Sequence, residues 1–348
     1  MHAAVLSEYR TFDWQEIPVP SIGSNQVLVK VEYAGICGSD LHIYGGEFHP
    51  RTHTPMVPGH EFAGVIVNVG GAVSRYRAGD RVAVDPIIPC GSCVACELKH
   101  YPACTSLKLL GVDMDGGFAE YVAVDEHMLY KLDDSISLRH GALIEVLSIG
   151  FHASNRAGVK EGDRIAIWGA GRVGQCILQA ARTRTDNTVF MIDILDNRLK
   201  IAGDHYDNVV TINSQKQDPI AVIKEHTNGR GVDIAFEAVG HAHAVAGRPH
   251  PVRGCVQAIR GAGVVCVLGL SDEPAPLIMK ELIWREARIV ASRVSHGEFS
   301  ETIDHMAQGH LQPDILVSAE MPASAAQTAF ENLEREPQNY LKVLLKLA

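Results

Sequence analysis

A thiol, an imidazole and a carboxylate lie in two short segments near the start of this sequence. Cys37 stands within residues 35–42, and His60 and Glu61 end the segment 58–61. These side chains are the ligand types that hold zinc in open catalytic sites, where one position remains for water or substrate. A single cysteine is more typical of an apolar core. The Gly-His-Glu triplet and a second group of cysteines nevertheless favour a metal site.

Four of the eight cysteines form that second group, with two, two and seven residues between them. Such close spacing is typical of a metal site rather than a disulfide framework, and four thiolates close a tetrahedral zinc site. Iron–sulfur clusters are the rival interpretation, but there a proline commonly follows the final cysteine, and a step of seven is unusual. We therefore predict a structural zinc bound by Cys90, Cys93, Cys96 and Cys104.

A glycine-rich turn marks a third site in the second half of the chain. Residues 163–168 have the composition of a buried strand, residues 175–184 have the pattern of a helix, and Gly-x-Gly-x-x-Gly at 169–174 connects them. With a later acid, this order forms the dinucleotide-binding fingerprint, because the glycines let pyrophosphate approach the helix N-terminus. The acid is Asp193, which would bind the adenosine ribose hydroxyls and repel a 2′-phosphate. NAD is therefore favoured over NADP, although Arg198 follows.

The elements around these motifs divide the chain into a β-rich part and an α/β part. Residues 1–150 contain short alternating runs separated by glycine and proline, which predicts a barrel-like domain. Residues 151–289 alternate strands and helices, which predicts a doubly wound parallel sheet, and residues 290–348 are expected to complete the first domain. A helical pattern at 138–154 carries Glu145 among apolar neighbours, where a carboxylate needs a metal or a cationic partner. The predicted fold class is α/β.

Length, charge and composition argue against several classes of protein. The 348 residues suffice for about two domains, and 46% hydrophobic with 21% charged residues is typical of a globular protein. The net charge of −10 disfavours nucleic acid or an anionic membrane as a partner. The sequence has no signal-peptide pattern and no apolar run long enough to span a bilayer, so the expected compartment is the cytoplasm.

Together these motifs resemble the zinc-dependent medium-chain alcohol dehydrogenases over essentially the whole chain. The resemblance is closest to the branch of sorbitol, L-threonine and bacterial sugar-acid (galactonate, gulonate) dehydrogenases. It rests on the motifs above and on two more, Gly-Asp-Arg-Val at 79–82 and Asp-Gly-Gly-Phe-Ala-Glu-Tyr at 115–121. It implies a GroES-like β-barrel catalytic domain, 1–150 completed by 290–348, and a Rossmann NAD-binding domain, 151–289.

The resemblance also implies roles for individual residues. Ser39 and His42 would form a proton relay, and Ser39 and Arg293 would contact the substrate. Glu61 and Glu145 would lie at the metal as catalytic groups, with either one as the resting third ligand. The implied ligands of the catalytic zinc are Cys37, His60, Glu61 and Glu145. The implied cofactor-binding residues are Gly169, Gly171, Arg172, Val173, Gly174, Asp193, Arg198, Ala238, Val239, Leu268, Gly269, Leu270, Ser292 and Arg293.

Two features depart from the family pattern. Family members usually have Glu-Pro where this chain has Glu145-Val146, a change that concerns the local backbone rather than the carboxylate. The segment 241–253 is longer than usual and contains Pro249 and Pro251, so part of it cannot be regular helix. It is expected to be a surface loop, with a flap over the cofactor as the alternative.

The implied reaction is oxidation of a secondary alcohol of a polyol, sugar or aldonate, with hydride transfer to NAD and zinc as the Lewis acid. L-Threonine and butanediol-type diols are alternative substrates. A zinc-free, NADPH-dependent quinone or enone reductase is a rival on the same fold, and a non-catalytic binding or sensing relative is another. The complete ligand set argues against both rivals, and Asp193 argues against the first. The expected assembly is a homodimer or homotetramer with two zinc ions in each chain.

Overall fold

Two folding units make up the chain in a computed structural model that describes residues 1–240 and 249–347. The first unit combines Met1–Val146 with His296–Ala348, and the second contains Leu147–Ser295. The chain therefore leaves the first unit once and returns to it near its end.

Strands occur throughout both units and are numbered here in chain order. They are β1 (His2–Glu8), β2 (Thr11–Glu16), β3 (Gln26–Gly35), β4 (Glu61–Val69), β5 (Arg81–Val84), β6 (Ile87–Ile88), β7 (Lys108–Leu109), β8 (Tyr121–Asp125), β9 (Leu129–Lys131), β10 (Ile165–Trp168), β11 (Val189–Asp193), β12 (Val209–Asn213), β13 (Val232–Glu237), β14 (Ile259–Val267), β15 (Arg288–Ala291), β16 (Val317–Pro322) and β17 (Lys342–Lys346).

Helices connect many of these strands. They are α1 (Gly38–Gly45), α2 (Val94–Glu97), α3 (Leu138–Gly141), α4 (Ile144–Ala157), α5 (Arg172–Arg182), α6 (Asp196–His205), α7 (Pro219–His226), α8 (Pro251–Ala258), α9 (Met279–Ile283), α10 (Phe299–Ala307) and α11 (Ala326–Arg335). Short 3-10 helices lie at Tyr101–Ala103, Glu126–Met128, Pro313–Leu316 and Ala323–Ala325.

The first unit is built on a seven-stranded sheet with the order β16-β17-β3-β4-β5-β9, in which β8 also pairs with β3. The predicted alternation along β3 is present, because Val27, Val29 and Val31 are fully buried while Lys30 between them is exposed. These valines belong to a core that also contains Phe330 of α11. Since β3 lies inside the sheet, its end is a rigid support for the residues that follow it.

The second unit contains a six-stranded parallel sheet with the order β12-β11-β10-β13-β14-β15. In sequence terms this is the 3-2-1-4-5-6 order of a dinucleotide-binding fold. Two apolar clusters line the sheet, one around Ile167 and Ile177 and the other around Phe190 and Val265. The predicted α/β fold class is confirmed. Strand β15 extends the sheet to Ala291, two residues past position 289.

Three local features refine the sequence-based expectations. The helical pattern at 138–154 forms two helices, α3 and α4, with Ala142 and Leu143 between them. Residues 241–248 of the expected loop lie outside the described residues, and α8 begins at Pro251, where a first-turn proline loses no helical hydrogen bond. Within the described parts of the chain, no helix has both the length and the apolar character that a membrane span requires.

Candidate active site

The predicted catalytic ligands come together because β3 and β4 pair in antiparallel register. Gly35, the last residue of β3, lies opposite Glu61, the first residue of β4, so Cys37 and His60 follow at the same end of the ladder. A Cβ atom at Gly35 would stand 2.5 Å from Glu61 Oε2, and only glycine leaves room for that carboxylate. The ligand atoms of Cys37, His60 and Glu61 all lie within 4.8 Å of one another.

This donor set fits zinc. Zinc binds sulfur at about 2.3 Å and nitrogen or oxygen at about 2.0–2.2 Å, so one ion can reach all three side chains after small shifts. His60 Nδ1 lies 3.4 Å from Asp40 Oδ1, and its Nε2 lies 3.3 Å from the Ser39 hydroxyl. A metal-binding histidine usually turns its second ring nitrogen to a carboxylate. Asp40 is fully buried in that position, which leaves Nε2 as the nitrogen for the metal.

Asp40 also fixes the cysteine. Its Oδ2 accepts a hydrogen bond of 2.8 Å from the backbone N–H of Cys37, the residue that caps α1. Burial opposes ionisation of the Cys37 thiol, and Glu61 opposes it too, but the attraction of His60 and Lys342 outweighs them and the pKa of Cys37 is lowered. Thiolate is the form that binds metal. The protein therefore favours the ligand state of Cys37 before any ion arrives.

Lys342 is a residue of this site that the sequence analysis did not find. Strand β17 pairs with β3, which places Lys342, the first residue of β17, beside Glu61, one of the predicted metal ligands. Its Nζ lies 2.7 and 2.5 Å from the two carboxylate oxygens of Glu61 and 3.2 Å from the carbonyl oxygen of Ile36. Both side chains are almost fully buried. The ammonium ion therefore neutralises the Glu61 carboxylate in the absence of solvent.

Glu145 lies in the first turn of α4 and is 6% exposed. Its Oε2 is buried without a hydrogen-bond partner. Burial, followed by the nearby Glu61 carboxylate, raises the pKa of Glu145 well above its usual value. Glu145 is not one of the three residues whose ligand atoms lie within 4.8 Å of one another. Val146, which stands where family members usually have proline, lies in the same first turn of α4, and its side chain is buried.

The two predicted relay residues lie on α1 but have different partners. The Ser39 hydroxyl contacts His60 at 3.3 Å. His42 Nδ1 contacts the carboxylate of Glu47 at 2.6 Å, and its ring stacks on Phe48. Residues three apart on a helix share a face, so Ser39 and His42 are neighbours along α1. Glu47 is a second functional candidate that the sequence analysis missed.

The four-cysteine group forms a separate lobe around α2. Cys96 Sγ lies 3.9 Å from the sulfur of Cys90 and 3.5 Å from that of Cys93, and the backbone N–H of Cys90 contacts the Cys104 sulfur at 3.3 Å. The two sulfur–sulfur distances match the edges of a tetrahedral zinc–thiolate site. Backbone hydrogen bonds, first from Thr105 and then from Cys96, lower the pKa of Cys93 to about 6. The lobe fits the predicted structural zinc.

Replacing Cys93 with serine is expected to release one zinc ion per chain and lower the thermal stability of the first unit. Three thiolates leave the tetrahedral site open and weaken it. The catalytic donor set shares no residue with the lobe, so the remaining ion should stay. Metal analysis and thermal unfolding measure both effects. The control is Cys266→Ser, a change at a buried core cysteine, which should keep both zinc ions. Loss of turnover with unchanged stability and zinc content would contradict a structural role.

The glycine turn has the geometry of a dinucleotide site. It follows β10 and leads into α5, whose first turn contains Arg172 and Val173. A Cβ atom at Gly174 would stand only 1.8 Å from the carbonyl oxygen of Gly169, so the close packing of the helix on the turn requires glycine. The N-terminal amides of α5 are thereby available to an anionic ligand such as pyrophosphate.

Asp193 ends β11 and is 9% exposed. Its Oδ2 accepts a hydrogen bond from the backbone N–H of Ala170 at 2.7 Å. Its Oδ1 accepts from the backbone amides of Ile194 and Leu195 at 2.7 and 2.9 Å. The carboxylate therefore joins the glycine turn to the end of the second strand and has a fixed orientation. Arg198 follows in α6, where its guanidinium lies near Gly171.

The remaining cofactor candidates follow the ends of β13, β14 and β15. Glu237 organises them: its Oε1 accepts from the backbone amides of Val239 and Gly240 at 2.9 and 3.1 Å, and its Oε2 lies against Gly269. Sequence analysis did not assign Glu237 a role, although an acid at a strand end was a usable signal. The other candidates in these turns are Ala238, Leu268, Leu270, Ser292 and Arg293.

Two family models match this chain. The model for the alcohol dehydrogenase GroES-like domain matches residues 23–134, and the model for zinc-binding dehydrogenases matches residues 173–308. A sorbitol dehydrogenase of Bacillus subtilis strain 168 is 33% identical over 99% of this chain and 97% of its own length. This chain belongs to the zinc-dependent alcohol dehydrogenase family. It is an NAD-dependent oxidoreductase, and zinc and NAD are its cofactors.

Other relatives show the range of the family. A 2-dehydro-3-deoxy-L-galactonate 5-dehydrogenase of Pseudoalteromonas atlantica is 29% identical over 93% of this chain and 92% of its own length. A crystal structure of an Escherichia coli CFT073 alcohol dehydrogenase complexed with NADH has a TM-score of 0.89 at 30% identity, covering 100% of this chain and 99% of that chain. The resemblance inferred from the motifs, including both domain types, is thus confirmed.

Proposed function

We propose that this enzyme oxidises a secondary alcohol of a polyol, sugar or sugar acid and transfers the hydride to NAD. The observation that carries the proposal is the Cys37–His60–Glu61 donor set, in which His60 and Glu61 are buried, in a chain that is similar over 99% of its length to a sorbitol dehydrogenase. A relative that is similar over most of the chain is named for a sugar acid, which supports the same substrate class. The donor set also argues against a zinc-free reductase and against a non-catalytic relative.

Each residue of the site has a specific task in this proposal. Cys37, His60 and Glu61 hold the metal, and the bound zinc supplies a Lewis acid that favours ionisation of an alcohol. Glu145 has a buried, unpartnered oxygen and is the candidate for exchange at the metal. Ser39 accepts the proton of the alcohol hydroxyl and passes its own proton to His42, which releases it to water.

The residues of the second unit bind NAD. The glycine turn receives the pyrophosphate and Asp193 the adenosine ribose. The residues that follow β13, β14 and β15 line the nicotinamide end, since ligands of such sheets bind beyond the carboxyl ends of the strands. Arg293 follows β15 and is the candidate for contact with a substrate carboxylate or hydroxyl groups.

The test is NAD reduction by the zinc-loaded enzyme across a panel of alditols, aldonates, L-threonine and 2,3-butanediol. We expect the highest kcat/KM for an alditol or aldonate. A clear preference for L-threonine or butanediol would replace the proposed substrate class while leaving the reaction type intact. Enone reduction with NADPH in the absence of zinc would contradict the reaction itself.

Cofactor preference provides a separate prediction. We expect kcat/KM for NAD to exceed that for NADP by about 100-fold or more, because a fixed carboxylate beside a 2′-phosphate costs several kcal/mol. The Asp193→Asn variant keeps an oxygen that can accept the two hydrogen bonds from Ile194 and Leu195, and it removes the negative charge. It should therefore lower the ratio of kcat/KM for NAD to that for NADP about tenfold. Asp196→Asn, an exposed change at the start of α6, is the control. Equal use of the two cofactors by the wild type would contradict the role of Asp193.

We propose in addition that the enzyme is a homo-oligomer that associates through the second unit. Three apolar side chains in and beside α9 are strongly exposed: Met279 at 62%, Ile283 at 68% and Trp284 at 74%. Strand β15 is at the end of the described sheet order, and its Ile289 is 42% exposed. A second copy covers such a patch, and it also pairs an open strand edge.

Trp284→Glu is therefore expected to shift the enzyme to monomers, because a charge at a buried aromatic position opposes association. Light scattering after size-exclusion chromatography measures the mass of the particle. Val19→Glu, at a residue that is 49% exposed in the first unit, is the matched control. A wild-type monomer, or an unchanged mass for Trp284→Glu, would contradict the proposed interface. A tetrameric wild type that becomes a dimer would indicate a second interface elsewhere.

The proposed location is the cytoplasm. Its reducing conditions keep the four thiols of the lobe available to zinc instead of allowing disulfides between them. Cell fractionation tests this location, and recovery of the native protein with oxidised lobe cysteines would contradict it.

A further inference from the structure

The end of α1 brings a carboxylate back beside the imidazole of His42. Gly46 caps the helix in the left-handed conformation, with φ of 80°. The backbone amides of Gly46 and Glu47 then bond to the carbonyl oxygens of Ile43 and His42, at 3.0 and 2.9 Å. This pattern of a helix end is typical of glycine in the left-handed position. The left-handed residue ends the helix and turns the chain back, so that the Glu47 side chain lies beside His42.

The side chains at this turn form a pair with a defined geometry. His42 Nδ1 and Glu47 Oε2 are 2.6 Å apart, a distance typical of a charge-assisted hydrogen bond. The next residue, Phe48, stacks on the imidazole with ring centroids 5.8 Å apart and planes 12° apart. The carboxylate and the stacked ring together fix the position and the rotation of the imidazole. The side chain of His42 is still 41% exposed, so it can exchange a proton with water.

We propose that Glu47 is a positioning residue that holds His42 in the tautomer with the proton on Nδ1. A carboxylate accepts the Nδ1–H, and Nε2 is left with a free lone pair, which is the state a proton acceptor requires. This inference rests on the proposed alcohol oxidation. The alcohol C–H leaves as hydride to NAD, and its O–H proton passes through Ser39 to His42 Nε2. The imidazolium then loses that proton to water, while the Glu47 carboxylate accepts the Nδ1–H hydrogen bond throughout.

Nothing in the role of Glu47 requires contact with the metal ligands. His42 lies one turn after Ser39 on α1, Glu47 follows the end of that helix, and the described side-chain contacts of the pair are with each other and with the Phe48 ring. A purely structural pair would brace the helix end and affect stability. A positioning pair affects the catalytic rate through His42 alone, and this difference is measurable.

The first experiment is a double-mutant cycle on the zinc-loaded enzyme with Glu47→Gln, His42→Ala and both changes together. We expect Glu47→Gln to lower kcat about 3- to 10-fold with the KM for NAD unchanged, since a charge-assisted hydrogen bond is replaced by a weaker neutral one. We expect the double variant to be no slower than His42→Ala, because Glu47 acts only through the imidazole. Asp314→Asn, which breaks a similar 3.1 Å pair with His140, is the control with unchanged kcat.

The second experiment uses no turnover. Side-chain 15N spectra of His42 in the zinc- and NADH-loaded protein should show the Nδ1–H tautomer, and Glu47→Gln should shift it towards the other tautomer. Multiplicative losses in the double variant, or an Nε2–H tautomer in the wild type, would overturn the proposal. If no alcohol of the panel is oxidised by the wild type, the proposed reaction fails, while the spectra still decide whether Glu47 sets the tautomer.

Discussion

The Cys37→Ala variant is expected to contain one zinc ion per chain instead of two and to lose at least about 1,000-fold in alcohol oxidation. Cys37 contributes the thiolate of the catalytic donor set, and its lowered pKa favours that form. The neighbouring side chains cannot replace a divalent charge next to the reacting oxygen. The four-cysteine lobe does not include Cys37, so its zinc ion remains.

Binding of NADH by this variant should be unchanged. The glycine turn and Asp193 belong to the second unit, whereas Cys37 belongs to the first. Fluorescence titration with NADH and metal analysis on the same preparation therefore separate loss of the metal from misfolding. Cys266→Ser is again the control, and it should keep both zinc ions and full activity. Activity within tenfold of wild type in the one-zinc protein would show that Cys37 does not hold the essential metal.

Replacing the relay residue His42 provides an activity loss with which the loss in Cys37→Ala can be compared. His42→Ala is expected to lose about 10- to 100-fold, less than removal of a full general base, because water can carry part of the proton transfer. The order of the two losses is the decisive comparison. Equal losses for His42→Ala and Cys37→Ala would contradict the assignment of the metal as the main source of rate acceleration.

The sequence contained enough information for the fold class and for the choice of the residues in the two donor groups because these depend on local patterns. Strand periodicity, the spacing of the four cysteines and the glycine turn each concern fewer than about thirty residues, the scale on which such patterns are informative. Local patterns place Cys37 directly after β3 and Glu61 at the start of β4, but their approach depends on the pairing of these two strands. The rest required the register between strands, which no local pattern determines.

Lys342 illustrates that limit. It lies 281 positions after Glu61, and only the pairing of β17 with β3 brings the two together. In the sequence it is one lysine at the start of an apolar run, where exposure would be the ordinary expectation. Glu47 was hidden for a different reason, because its contact with His42 depends on the left-handed turn at Gly46. The Gly-Gly pair before Glu47 indicates a turn, but it does not indicate which side chain the carboxylate will contact after that turn.

The Lys342→Met variant should have the largest effect on stability. It leaves the buried Glu61 carboxylate without its cation, and breaking a buried ion pair from one side costs about 3–5 kcal/mol. Methionine has a similar length and no charge, so packing changes little. Lys346→Met, on the same strand but exposed, is the matched control and should cost less than about 1 kcal/mol. Urea unfolding of the metal-free and zinc-loaded proteins measures both variants.

The metal dependence of that loss distinguishes the two roles of Glu61. In metal-free protein the Lys342 ammonium is bonded to this carboxylate, with both oxygens within 2.7 Å of its Nζ. If Glu61 is also a zinc ligand, the ion replaces part of the missing positive charge, and zinc-loaded Lys342→Met should lose less stability than the metal-free form. The double variant Glu61→Gln/Lys342→Met removes both charges and should recover part of the loss in either form. If Lys342→Met loses no more stability than Lys346→Met, the Lys342–Glu61 pair does not stabilise the site. If Lys342→Met loses the same stability with and without zinc, Glu145 is left as the third ligand.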